Sequence, residues 1–257
     1  MTAHSTPYDI RFARDADDIR AAQRLRYRVF VEELGGTGPL VDHAARLEAD
    51  ALDPYFEHLL LIDPTRDEGD HVVGAYRLLS DARAAEAGGF YSESEYDLTP
   101  LVQSGRKLLE LGRSCVHPEH RGGLAMYHLW SALARYVTEQ EIDILFGVAS
   151  FHGAEPERHA QALSLLYRRH LAPEDLRVRA RDEVYHSMDL LPEEAIRPRQ
   201  GMLETPALIK AYLKLGGFVG DGAFLDRDFN TTDVCLILDT ARMNAAQKAI
   251  YTRGQAG

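Results

Sequence analysis

The chain has two cysteines, Cys115 and Cys235, in 257 residues. That is too few for a disulfide framework, and the pair lacks the spacing of a zinc site, so a reducing cytoplasm is the expected setting. No stretch approaches the roughly 20 apolar residues of a membrane span. Met1 to Asp9 lacks the basic start and apolar run of an export signal, so neither export nor membrane spanning is expected. Positive charge is not in excess either: 29 Lys and Arg face 40 Asp and Glu, a formal net charge of -11. Wholesale binding to nucleic acid or to an anionic bilayer needs a basic excess, and the charge argues against it. Internal repeats, polar low-complexity tracts and Gly/Ser- or Pro-rich linkers are absent as well. The chain therefore reads as a single domain over residues 1–257, with a core at about 10–240 and short flexible ends.

What is present is a soluble, mixed composition with 45% hydrophobic residues. Ala16 to Glu33 places Ile19, Ala22, Leu25, Val29 and Phe30 at helical spacing behind Asp15 or Asp17, and predicts a helix ending at Gly35-Gly36. His58–Ile62 and Val72–Leu79 predict an antiparallel strand pair across the turn Asp63-Pro64 to Asp70. Leu108–Val116 predicts a strand stopped by His117-Pro118, and Leu124–Gln140 an amphipathic helix. Ile144–Ser150 reads as a buried strand, Gln161–His170 and Pro206–Leu215 as helices, and Thr232–Leu238 as a strand. The class is α/β. Basic patches lie at Arg20–Arg28, at Arg106 with Lys107, and at Arg168–His170. An acidic partner would have to dock on one of them, and solvated helix faces are the plainer reading of each.

The segment from Leu109 to Ala125 carries the most chemistry. A strand that stops at Pro118 and turns through Gly122-Gly123 into a helix points the first helical amides outward, where they and the helix dipole attract phosphate. Glycine lets the backbone come close to such a ligand. An ordinary turn remains the alternative. The frame His120, Arg121, Gly122, Gly123, Leu124, Ala125 resembles the acyl-carrier loop of the GNAT superfamily, whose pattern opens on Gln or Arg. With His120 in that place, the departure leans away from a coenzyme A pyrophosphate cradle and toward the single phosphate of an acyl carrier protein.

A second resemblance strings together separated polar residues: Arg26 with Phe30, Asp50 with Asp53, Arg77, and Glu110 with Arg113. This ordered set is similar to that of acyl-homoserine-lactone synthases and of the related ornithine N-acyltransferases of ornithine-lipid synthesis. The wording Arg26 to Glu33, Phe90-Tyr91 with Tyr96-Asp97-Leu98, Leu109 to Val116, and the tail with Tyr212 to Gly217 and Thr231 to Val234 looks like the ornithine group. The lactone synthases keep a tryptophan soon after the phenylalanine; here Gly35-Gly36 stands there and Trp130 lies in the later helix.

The resemblance implies a GNAT-like fold: a mixed, mostly antiparallel central sheet flanked by helices, with a helical and strand C-terminal extension. It implies transfer of a 3-hydroxyacyl chain from acyl carrier protein to the α-amine of ornithine, with the phosphopantetheine thioester as co-substrate and neither cofactor nor metal. Glu110 is the expected base, beside Arg113, for an amine that must lose a proton. Arg26, Phe30, Asp50, Asp53 and Arg77 are expected to bind the amino acid, and His120 to Ala125 the carrier phosphate. The structural alternatives are an ion pair between Glu110 and Arg113, caps or solvated loop for the aspartates, and salt bridges for the arginines. Cys115 reads as a small buried hydrophobe. Glutamine or another amino acid as acceptor, a lactone synthase, and a non-catalytic carrier-binding module stay open. Since the product is amphiphilic, loose peripheral contact with the inner membrane face is also expected.

Overall fold

The computed structural model describes residues 8–252, with side chains up to Lys248; the short ends expected to be flexible lie outside the described residues. The described chain is mixed α/β and forms two compact units, one from residues 8–79 and 111–140, the other from 80–110 and 141–251.

In the first unit Asp15 caps helix α1 (Ala16–Arg26) by accepting the Asp17 and Asp18 amides, both at 3.0 Å. The expected single helix to Glu33 changes pitch at Tyr27: Tyr27–Glu33 is a π-helix. A wider turn leaves the apolar spacing readable as helix, so the sequence does not show it; such turns recur at functional sites. Strand β1 (Asp9–Phe12) pairs antiparallel with β2 (Glu57–Ile62), and β2 with β3 (Val72–Ser80). Strand β4 (Leu108–Val116) contributes its C-terminal half, and its continuation is tied to β3 by the His117 amide, 2.8 Å from the Val73 carbonyl. Buried positions run without alternation along β2 and β3, as in strands covered on both faces. Helix α2 (Ala125–Glu139) packs so closely that a Cβ at Gly74 would lie 2.9 Å from Leu129 Cδ1. Ala22, Leu25, Val29, Leu60, Val72, Ala75 and Cys115 form a buried cluster.

In the second unit the first residues of β4, Leu108–Glu110, pair parallel with Ile144–Phe146 of β5 (Ile144–His152). The other pairings are antiparallel: β5 with β8 (Thr231–Asp239) over nine positions, and β8 with the short strands β6 (Phe218–Val219) and β7 (Phe224–Asp226). Helix α3 spans Ala160–His170, and helix α4 spans Ala207–Lys214 and stops at Gly216, φ +86°. The Gly217 amide then returns to the Tyr212 carbonyl at 2.9 Å, closing a left-handed cap. The Tyr96 hydroxyl donates to the carbonyls of Gly222 and Asp233 at 3.1 and 3.0 Å, so two distant stretches of the quoted wording meet. No described helix is long and apolar enough to cross a membrane.

Candidate active site

The π-helix and the loop that follows it bring charge into the core of the first unit. Arg26 is 0% exposed, and its guanidinium donates to Asp53 at 2.7 and 3.2 Å and to Glu48. Arg77, on β3, donates to Asp50 at 2.7 Å and to Asp53 at 2.6 Å while its guanidinium carbon stacks 4.1 Å from the centre of the Phe56 ring. Arg113 donates to Glu48 at 3.1 Å and lies 3.9 Å from Asp50. Three arginines and three carboxylates thus balance in one buried network. Removing charges from water is costly, and such a cluster persists because each ion finds opposite partners and hydrogen bonds.

Burial would raise the Asp53 carboxyl, but Arg26 and Arg77 outweigh it and hold the group well below the usual carboxylate range. His58, whose Nε2 lies 2.9 Å from the Asp53 carbonyl, is shifted down by burial and stays neutral. Five sequence-predicted residues, Arg26, Asp50, Asp53, Arg77 and Arg113, therefore meet in space, with Phe30 packed at the edge of the adjoining apolar cluster. Glu48 was missed. It is 0% exposed and joins Arg26 to Arg113, but it sits in a two-residue strand, Leu47–Glu48, too short for local spacing to mark it.

Arg113 holds φ +50° within β4, a left-handed conformation uncommon for a residue with a side chain. The stretch Gly112–Ser114 is also the half-buried part of an otherwise buried strand. Glu110, 1% exposed, accepts from the Tyr91 and Ser92 amides, each at 2.7 Å, and from the Ser92 hydroxyl. The Phe90 ring abuts Phe146 at 5.0 Å, so the Phe90-Tyr91 wording corresponds to the loop that orients this carboxylate.

The predicted phosphate loop follows β4. His117 heads a 3-10 turn over Pro118–His120, Gly122 has φ +75°, and α2 begins behind Leu124 with no side-chain cap. Uncapped first-turn amides suit an anion. His120 bonds the Tyr8 hydroxyl at 2.9 Å. Arg121 points elsewhere: it forks onto Glu33 at 2.5 and 2.7 Å and bonds the Val116 carbonyl at 3.0 Å, strapping the loop to the end of the π-helix. His117, Glu119 and His120 offer donor atoms within 4.8 Å of one another, yet Arg28 bonds His117 and Arg66 bonds Glu119, so guanidinium groups stand where a cation would enter. Burial, with Arg28 and Arg66, shifts His117 down and keeps it neutral.

Cys115 is no nucleophile, since burial pushes its thiol up to about 12. In each basic patch read from the sequence at least one arginine is engaged within its own unit. Arg106 forks onto Asp239 at 2.5 and 2.6 Å, Arg168 onto Asp189, and in the first patch Arg20 pairs with Asp17 and Arg28 with Asp70.

A family model described as an acetyltransferase (GNAT) domain matches residues 25–131, which carry the network and the loop. The solved structure of FeeM, an N-acyl amino acid synthase from uncultured soil microbes, shares the fold with a TM-score of 0.52 at 12% identity, covering 93% of this chain and 95% of that one. The L-ornithine N(alpha)-acyltransferase of Brucella abortus is 42% identical over 95% of this chain and 88% of its own length. That of Rhodobacter capsulatus is 61% identical over 98% of both. The chain belongs to the L-ornithine N(alpha)-acyltransferase family.

Proposed function

We propose that this acyltransferase moves a 3-hydroxyacyl chain from acyl carrier protein to the α-amine of L-ornithine, the first step of ornithine-lipid synthesis. The observation that carries the reading is the 61% identity, over 98% of both chains, to a protein named for that acceptor. The buried network supports it by offering both signs of charge to a zwitterionic amino acid. Arg26, Arg77 and Asp53 are the fixed frame, and Arg113 and Asp50, at 12% and 7% side-chain exposure, are the members a substrate reaches first. Arginine holds a carboxylate through paired donors, and an aspartate holds an ammonium.

The amine must be neutral to attack the thioester, whereas an ordinary α-amine is largely protonated at neutral pH. Glu110, held by the Tyr91–Ser92 loop, takes the proton through water. The half-buried stretch of β4 at Gly112–Ser114 is where the thioester meets the strand, and the uncapped start of α2 takes the carrier phosphate. Gly35-Gly36, where lactone synthases keep tryptophan, fits an acceptor other than S-adenosylmethionine.

The test is mass spectrometry of the amides formed when the purified protein meets 3-hydroxyacyl carrier protein and a mixed amino-acid pool. An ornithine amide is expected. A glutamine amide in its place overturns the acceptor, and equal turnover with acyl-coenzyme A overturns the donor. Glu110→Gln should lower kcat by about 10²–10⁴ with ornithine KM little changed. A matching fall in thermal midpoint would show instead that Glu110 clamps the Tyr91–Ser92 loop.

A further inference from the structure

We infer that the solvent face of α2, from Tyr127 to Arg135, is the surface on which the carrier protein docks; this rests on the reading of an acyl carrier as donor. In a carrier protein the phosphopantetheine phosphate is esterified to a serine of the protein itself. A phosphate at the start of α2 therefore brings protein surface with it, whereas the phosphates of coenzyme A lead to a small nucleotide. The residues around that helix start must meet the partner.

They are unlike the rest of this acidic chain. Leu124 and Tyr127, at 59% and 52% exposure, are two of the five most exposed large apolar side chains among the described residues, and they lie three apart, at the N-cap and in the first turn of α2. His128, Ser131 and Arg135 continue that face at helical spacing. From Leu124 to Arg135 the face is about 16 Å long. No carboxylate occurs in α2 before Glu139, although the chain carries 40 acidic residues. Arg135 is exposed and joins no ion pair among the described residues. The charges beside the helix start cancel in the pairs Arg121–Glu33 and Arg66–Glu119, so they neither repel nor compete for an acidic partner. An apolar contact beside an unpaired cation fits an acidic helix that presents apolar side chains next to its serine.

The experiment compares two donors on the full-length enzyme: 3-hydroxyacyl carrier protein, and the same acyl chain on free phosphopantetheine. Tyr127→Glu and Arg135→Glu should each raise KM for the carrier by about tenfold, and the double variant by more, with kcat and the ornithine KM unchanged. KM for the small donor should stay within about twofold, which also shows that the variants are folded. Added salt should raise the carrier KM of the wild type more steeply than that of Arg135→Glu. An unchanged carrier KM, or equal losses with both donors, overturns the docking surface. Loss of sedimentation with phosphatidylcholine–phosphatidylglycerol vesicles at an unchanged carrier KM assigns the face to lipid and overturns it too. A wild type that turns over acyl-coenzyme A and not the carrier removes the donor reading itself, and is distinguished by arising before any substitution is made.

Discussion

Two regions of the first unit handle charge in opposite ways. In the buried network Arg26, Glu48, Asp53 and Arg77 are at most 3% exposed, and each cation is met by carboxylates of the same cluster. In the loop and helix start from His117 to Tyr127, the Arg121–Glu33 pair is exposed, the glycines are open to solvent, and the helix amides have no side-chain cap. The first region pairs its charges within the cluster, with Arg113 and Asp50 at its more accessible edge. The second leaves hydrogen-bond donors facing solvent. A buried ion whose partner is lost has no water to replace it, whereas an exposed one does, so the same kind of substitution should have very different effects in the two places.

The largest effect is expected in the network. Arg26→Ala leaves Glu48 and Asp53 short of a partner and should destabilise the fold by about 3–5 kcal/mol, read from urea midpoints. Glu48→Ala should come close to it, because Arg26 and Arg113 then lose a shared acceptor. A loss under about 1 kcal/mol for both would mean that the cluster behaves like surface pairs, and the contrast with the loop would fall.

The pH dependence sharpens the same contrast. The folded Asp53 carboxyl lies below its ordinary value of about 3.9, so its contribution is fully present above that pH and is lost as the pH falls through the window below it. Stability should therefore drop steeply below about pH 4, by about 1.4 kcal/mol for each pH unit of depression. Asp18 is also held down, by its hydrogen bonds with Arg11, so Asp18→Asn is the control that isolates the network. Persistence of the full acid slope in Asp53→Asn would assign the loss to other carboxylates.

Where charges and strands stand was legible in the sequence to unequal degrees. The bounds of β4 and α2 were readable within one residue, because an apolar run ending at His117-Pro118 and a period near 3.6 are local signals. The pitch change at Tyr27 and the four-residue edge strand Asp9–Phe12 were not: one keeps the apolar spacing of a helix, and the other is too short and too charged to show alternation. Of the network, Arg26, Asp50, Asp53, Arg77 and Arg113 were found through their ordered resemblance. Glu48 joins residues 22 before and 65 after it in sequence, a relation that local pattern cannot carry. Arg121 was read as part of a phosphate cradle, but its guanidinium straps the loop to Glu33.

On the loop side Gly122→Ala meets open space, since no atom lies within 4 Å of an added Cβ, but φ +75° disfavours any side chain. The expected stability loss is about 1 kcal/mol, with a rise in donor KM as the helix start shifts. A KM unchanged despite that loss would detach the glycine from phosphate binding.

The smallest effect should come from Arg121, and its form decides what the residue does. Arg121→Ala removes an exposed pair worth about 0.2–1 kcal/mol, and Glu33→Ala removes the same pair from the other side. If the guanidinium is a strap, both variants shift donor KM in the same direction, and the double variant adds little to either. If it instead bonds the phosphate when the donor arrives, Glu33→Ala frees it and lowers donor KM, whereas Arg121→Ala raises it. The bidentate grip on Glu33, together with the bond to the Val116 carbonyl, leads to the first outcome. Opposite shifts would place Arg121 among the ligands of the phosphate and narrow the contrast between network and loop.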